Sequence, residues 1–139
     1  MGFFTNLFKK SSFFASEYTD KSLMPFAEVM NAHANWKSRI TKFMEGTLGY
    51  SLDPEVLAEA DDTELGRWIL LADSMSTNDE IKNKINQLHK ANVELHQAAS
   101  IIARQVISGN KTELAIANEQ YSSAARQVML LLRELAKEY

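Results

Sequence analysis

Three polar side chains stand inside apolar helical stripes, and their types and spacing could hold a metal ion. His33 interrupts one stripe, and Asn92 with His96 interrupts another. Residues four apart lie above each other on a helix face, so Asn92 and His96 point the same way. Helical bundles build metal sites from such a pair and an imidazole of a facing helix. His89 lies seven residues from His96, about 10.5 Å along a helix axis, so we expect it to flank the site or lie at the surface.

The fourth ligand would come from the start of the next main helix. Asp61, Asp62 and Thr63 stand there, within a short reach of the interior. The two imidazoles and the amide also have a metal-free interpretation, in which they hydrogen-bond one another inside the core. An unpaired buried polar group costs on the order of 1–3 kcal/mol, so such groups are normally satisfied. Composition alone favours this metal-free cluster, and the metal site remains the alternative.

Amphipathic helices would position these residues. Apolar residues recur at three- and four-residue spacing, which predicts a first helix from about Ser22 to Met44, closed by Gly46. A short helix follows, with Asp53 as its cap and Pro54 at its first position.

Three further helices are predicted by their capping signals. Asp61, Thr77 and Asn110 each precede a glutamate by three residues, and Gly109 ends the long helix that starts after Thr77. No segment shows the alternating apolar pattern of a strand. The sequence therefore predicts an all-α fold, an antiparallel four-helix bundle with a short N-terminal amphipathic helix.

Four segments carry a family resemblance, in the same order along the chain. "HANWKSRI" resembles the His-x-x-Trp-Lys-x-Arg segment of the chemoreceptor zinc-binding (CZB) domain family, and "TELGRW" resembles its Cys-x-Leu-Gly-Lys-Trp segment. "NVELHQAASII" resembles its His-x-x-x-His-x-x-Ala-x-x-Ile segment, and "YSSAARQVMLLLREL" its closing helix. The resemblance spans about residues 22 to 137. It implies a four-helix bundle that regulates signalling modules such as methyl-accepting chemotaxis proteins and diguanylate cyclases.

The resemblance also implies a zinc site, of which half the ligands are replaced. In the family, one histidine of the first helix, the cysteine and two histidines of the third helix bind one zinc ion. His33 matches the first ligand and His96 the last, while Thr63 takes the cysteine position and Asn92 that of the first paired histidine. Zinc affinity should therefore drop sharply, and an oxidant response through a thiolate is excluded.

A carboxylate offers one way to restore such a site. Asp62 or Asp61 would give two imidazoles and one carboxylate, with water in the free position. The expected metal residues are thus His33, His96, Asp62, Thr63 and Asn92, with zinc as the expected ion if one is bound.

Composition excludes several classes of protein. The chain has no cysteine, and its net charge of −3 comes from interspersed acids and bases, which does not indicate a nucleic-acid footprint. No apolar run approaches the roughly 18 residues that span a bilayer, and no signal peptide is recognisable, so we expect a cytoplasmic domain. There is no glycine-rich phosphate loop, no serine beside an identifiable base and no Glu-x-x-His spacing. We therefore expect no enzyme activity.

Residues 1–20 form a separate amphipathic segment ahead of a bundle at 21–139. Aromatic and aliphatic residues recur there at near-helical spacing beside two lysines: Phe3, Phe4, Leu7, Phe8, Phe14, Lys9 and Lys10. The segment could contact an anionic membrane or a partner helix. Folding back over the bundle, or building a dimer, is the favoured interpretation because clustered phenylalanines are usually buried.

Two functions remain open. In the first, the protein is a regulatory domain in which a metal ion bridges helices and couples ligand state to partner binding. In the second, it is a metal-free interaction or dimerisation module. We expect no cyclase, kinase or coiled-coil output module after Tyr139. Unless the chain is part of a longer protein, we expect it to act by binding a protein partner or a second copy.

Overall fold

The computed structural model describes residues 26–138, which form helices and loops without a β-strand. The helices are α1 (Phe26–Glu45), α2 (Pro54–Leu57), α3 (Glu64–Met75), α4 (Asp79–Ser108) and α5 (Lys111–Ala136), with a 3-10 helix (Ala60–Asp62) between α2 and α3. The all-α prediction is confirmed for this part of the chain. The predicted N-terminal amphipathic helix and the predicted helix start at Ser22 lie outside the described residues. No helix within 26–138 has the length and apolar character needed to cross a membrane.

Several predicted helix ends are confirmed, because they depend on local chemistry. The Asp53 carboxylate accepts from the backbone N–H of Glu55 at the start of α2. The Asn110 side chain accepts from the N–H of Glu113 at the start of α5. Gly109 ends α4 with a φ of 78°, a left-handed conformation that favours glycine.

Two predicted caps are wrong. Asp61 was expected to cap α3, but residues 60–62 form the 3-10 helix, so the cap moves to Thr63. Thr77 was expected to cap α4, but Asn78 does so, and its amide oxygen accepts from two backbone N–H groups. In both places a neighbouring residue with a capping side chain takes the role, since Asn, Asp, Ser and Thr all serve as N-caps.

Helix α4 is the central element of the described part. It contacts α1, α2, the 3-10 helix, α3 and α5. Its buried positions extend well beyond one narrow stripe: Ile85, Leu88, Ala91, Asn92, Leu95, His96, Ala98, Ala99, Ser100, Ile102 and Ala103. The alanines among them let neighbouring backbones approach closely. Polar groups on this helix are therefore placed where several elements meet.

Gly66 brings the start of α3 against the 3-10 helix. A Cβ atom added at Gly66 would overlap the carbonyl oxygen of Ala60 and lie 2.8 Å from the Cα of Asp61. Only glycine allows this approach without moving a backbone. The contact fixes the turn that carries Asp62 and Thr63.

Candidate functional site

The polar cluster consists of His33 on α1 with Asn92 and His96 on α4. These side chains are 3%, 0% and 1% exposed, so all three lie in the core. The indole of Trp36 contacts both imidazoles, with ring centroids 6.0 Å from His33 and 4.3 Å from His96. The structure thus brings the two predicted histidines to one indole, inside the protein and away from solvent.

Asn92 and His96 belong to a polar row along α4 that holds the α2 segment. Ser100 continues the row, so its members are spaced by four residues and share one helix face. Each donates one hydrogen bond to a backbone carbonyl: Ser100 Oγ to Pro54 (2.7 Å), His96 Nδ1 to Leu57 (2.9 Å) and Asn92 Nδ2 to Ala60 (3.4 Å). The row thereby ties three backbone carbonyls of the α2 segment to α4, and those of Pro54 and Ala60 also accept from the N–H of Ala58 and from Thr63 Oγ1.

The hydrogen bond of His96 fixes its tautomer. A carbonyl oxygen only accepts, so Nδ1 carries the proton and Nε2 carries the lone pair. A bond from one ring nitrogen to a carbonyl is also how metal-binding histidines are oriented. Burial lowers the pKa of His96, although the Leu57 carbonyl and Asp61 oppose this change. His96 is therefore a neutral imidazole at neutral pH.

His33 is neutral for a similar reason. Burial, helped by the nearby charge of Lys37 and by His96, lowers its pKa from 6.5 to about 4. Its Nε2 atom is buried and has no hydrogen-bond partner within residues 26–138. A buried polar nitrogen without a partner is uncommon and calls for a structural or functional reason.

Two buried oxygens in and beside the polar cluster also have no hydrogen-bond partner within the described residues. They are Asn92 Oδ1 and the phenol oxygen of Tyr121, whose ring lies 6.3 Å from that of Trp36. Burial raises the pKa of Tyr121 to about 12, so the phenol stays protonated. Neither Trp36 nor Tyr121 was assigned to the site from the sequence. The phenol of Tyr121 was the signal that could have placed it near the cluster.

Thr63 serves as the cap of α3. Its Oγ1 atom donates to the carbonyl of Ala60 at 3.1 Å and accepts from the N–H of Gly66 at 3.0 Å. Both directions of this hydroxyl are therefore used by the local backbone. Thr63 stands where the resemblance to the CZB family would place a cysteine ligand, and its side chain stabilises the start of α3 instead.

The two aspartates beside Thr63 are also engaged elsewhere. Asp62 pairs with Arg67 at 3.7 Å and its side chain is 42% exposed. Asp61 pairs with Nε2 of His89 at 3.1 Å, so His89 lies outside the polar cluster. Across the described residues, no group of three or more His, Cys, Asp or Glu side chains is placed to hold a metal ion.

The available donors are therefore two neutral imidazoles and one amide oxygen. Zinc sites with four protein ligands use thiolate, imidazole and carboxylate, and an amide is a weak ligand. The donors here do not fit the four-ligand site that the resemblance implies. Two imidazoles and one amide oxygen are the donor set of a weaker site, which would need further ligands to complete the coordination of a divalent ion.

Comparison with known proteins adds no family assignment. No protein-family model matches the chain, and neither a curated protein nor a solved structure matches it. The likeness to the CZB family stays an interpretation of the four quoted segments.

Proposed function

We propose that the protein is a non-enzymatic regulatory domain of the CZB type in a cytoplasmic signalling pathway. In this proposal α1, α3, α4 and α5 form an antiparallel four-helix bundle that binds a protein partner or a second copy. Helices α4 and α5 are joined by two residues and pack against each other, and α1 contacts both α3 and α4. Short connections between packed helices are typical of antiparallel neighbours.

One observation carries the sensory part of the proposal. Two atoms of the polar cluster, His33 Nε2 and Asn92 Oδ1, are buried without a hydrogen-bond partner in residues 26–138. Nε2 of His96 carries a lone pair, because its Nδ1 donates to Leu57. These are the side chains expected as ligands, and each has an atom that is able to bind a cation. Bound there, a divalent ion would supply a bridge between α1 and α4.

Such a bridge would change packing throughout the domain. His33 comes from α1, whereas Asn92 and His96 come from α4, the helix that contacts the other described elements. Holding these side chains together would restrict α1 against α4 and alter the outer surface of the bundle. Regulation follows if a partner binds one of these arrangements more tightly.

The second candidate is a metal-free interaction or dimerisation module. It is favoured by the hydrogen bonds that Asn92 and His96 already make to the α2 segment. The double use of the Thr63 hydroxyl at the start of α3 favours it as well. In this candidate the polar cluster only holds the loop in place, and partner binding does not depend on an ion.

Zinc titration separates the two candidates. Thermal unfolding would be followed with zinc, with cobalt and with chelator. A bound ion stabilises by about 2.7 kcal/mol at one hundred times its dissociation constant. His33→Ala should abolish the rise in Tm, whereas His89→Ala, outside the cluster, should retain it.

A restored site provides the positive control. The double variant Thr63→Cys/Asn92→His carries the ligand set that the resemblance implies. If this variant responds to zinc and the natural chain does not, the sensory proposal is wrong and the metal-free module is supported. If both respond and His33→Ala abolishes both responses, the metal site of the natural chain is established.

A further inference from the structure

A groove lies between the second half of α1 and the segment from Ser51 to Thr63. Its volume is about 260 Å³. Trp36 and Ile40 line its buried side, and Leu52 and Val56 line its outer part. Val56 is 62% exposed, so an apolar side chain at the mouth of the groove faces solvent. The groove therefore offers an apolar surface next to the polar cluster.

The rim of this groove is predominantly acidic. Asp53, Glu59 and Asp62 line it, against the single guanidinium of Arg39. Asp62 forms an ion pair with Arg67 at 3.7 Å. Glu59 is exposed and forms no ion pair within residues 26–138. An occupant with apolar side chains and positive charge would complement both features.

We propose that residues 3–14 of the same chain dock in this groove. Their sequence, FFTNLFKKSSFF, combines six large apolar side chains with Lys9 and Lys10 and has no acidic residue. Phenylalanine side chains would cover Leu52 and Val56, and the lysines would lie opposite Glu59. Docking of this segment would not require a bound metal ion.

The length of the chain allows this docking within one molecule. Helix α1 begins at Phe26, and Trp36 and Ile40 lie 10 and 14 residues further on, roughly 15 to 21 Å along the helix axis. Residues 15–25 provide 11 residues of connection, which span up to about 36 Å when extended. The tether also gives the segment a high effective concentration at the groove of its own molecule. Docking within one molecule is therefore favoured over docking in the groove of a second copy.

Docking there would act on the polar cluster through Trp36. This indole lines the groove and contacts the ring of His96 at 4.3 Å. A segment in the groove would cover the surface nearest the cluster and exclude another protein from it. The N-terminal segment would therefore act as an internal competitor of a partner.

Disulfide trapping in the full chain tests the proposal, because the natural sequence contains no cysteine. Ser11→Cys would be combined with Ser51→Cys, whose position is exposed and lines the groove. The matched control combines Ser11→Cys with Ser123→Cys, an exposed position on α5. We expect at least five-fold faster cross-linking within one molecule for the groove pair.

Variants of the groove sharpen the test. In the Ser11→Cys/Ser51→Cys background, Val56→Glu and Glu59→Lys should each slow cross-linking several-fold. Ile116→Glu and Glu119→Lys introduce the same changes at exposed positions of α5 and should leave the rate unchanged. Circular dichroism would check that all variants fold.

Three results would overturn the proposal. Equal rates for the groove and control pairs would indicate random collision. Cross-links found only between molecules would assign the groove to a second copy. Rates that do not respond to Val56→Glu or Glu59→Lys would place the segment elsewhere on the surface.

Discussion

Acidification is expected to destabilise the protein through His33. Burial first, and then Lys37 and His96, lower the pKa of this imidazole from 6.5 to about 4. In the unfolded chain the ring regains its usual pKa near 6.5. Between these two pH values the unfolded state therefore binds a proton that the folded state does not, and the free energy of unfolding falls as the pH falls.

The size of this loss follows from the two pKa values. Above about pH 6.5 the ring is neutral in both states, and it subtracts nothing from stability. Linkage then gives a loss of about 2 kcal/mol at pH 5 and about 3 kcal/mol below pH 4, where both states are protonated. Burial lowers the pKa of His96 as well, so His96 adds a loss of the same sign. Native proteins are usually stable by only about 5–15 kcal/mol, so this loss is a substantial fraction of a typical value.

Urea unfolding at about pH 7.5, 6 and 5 measures the effect. His33→Gln removes one titrating ring, so its free energy of unfolding should depend on pH distinctly less than that of the natural chain. His89→Gln, at a histidine that lies outside the polar cluster and is 41% exposed, serves as the control and should keep most of the dependence. The slope of the free energy of unfolding against pH is compared between variants, because either substitution also changes the absolute stability. Equal slopes for the natural chain and His33→Gln would refute the reasoning.

Three substitutions test the packing around the site by urea unfolding. Gly66→Ala should lower stability by about 2 kcal/mol or more, because overlap with the Ala60 backbone outweighs a gain in helix propensity of about 1 kcal/mol. Gly49→Ala, with open space around it, should stay within about 0.5 kcal/mol, and a neutral Gly66→Ala would show that α3 moves away easily. Thr63→Ala should cost about 1 kcal/mol through loss of the cap, and no loss would mean that another group caps α3. Tyr121→Phe should be neutral or stabilising by up to about 1 kcal/mol, since it removes a buried hydroxyl without a hydrogen-bond partner in the described residues, and a clear loss would reveal a partner.

The helices were predictable because their signals are local. Apolar spacing and the Asp53 and Asn110 caps act within a few residues of each helix, and the described helices follow them. The cap of α3 was misplaced because the 3-10 helix at 60–62 depends on packing between segments. Its position is fixed by the backbone contact with Gly66, which no pattern in the sequence encodes directly.

The members of the polar cluster were predictable, but their bonds were not. His33, Asn92 and His96 stood out because each breaks an apolar stripe, and each is buried. The sequence interpretation paired them with one another or with a metal ion. Asn92 and His96 instead donate to carbonyls of the segment around α2, whose path over α4 is a tertiary feature. A backbone acceptor has no residue type, so sequence reasoning had no means of finding it.

At the two positions where the sequence departs from the pattern that it resembles, Thr63 and Asn92 both donate a hydrogen bond to the carbonyl of Ala60. A neutral histidine at position 92 would offer one N–H and one lone pair, and Asn92 offers both as well, with its Nδ2 donating to Ala60. A cysteine at position 63 would be a poor cap, whereas the threonine hydroxyl binds Gly66 and Ala60. Both residues thus weaken metal ligation and strengthen or preserve the bonds that hold the 3-10 helix. Thr63→Cys/Asn92→His removes the threonine cap and the Asn92 bond to Ala60 and adds metal ligands, so this variant should be less stable than the natural chain in chelator and gain more from zinc.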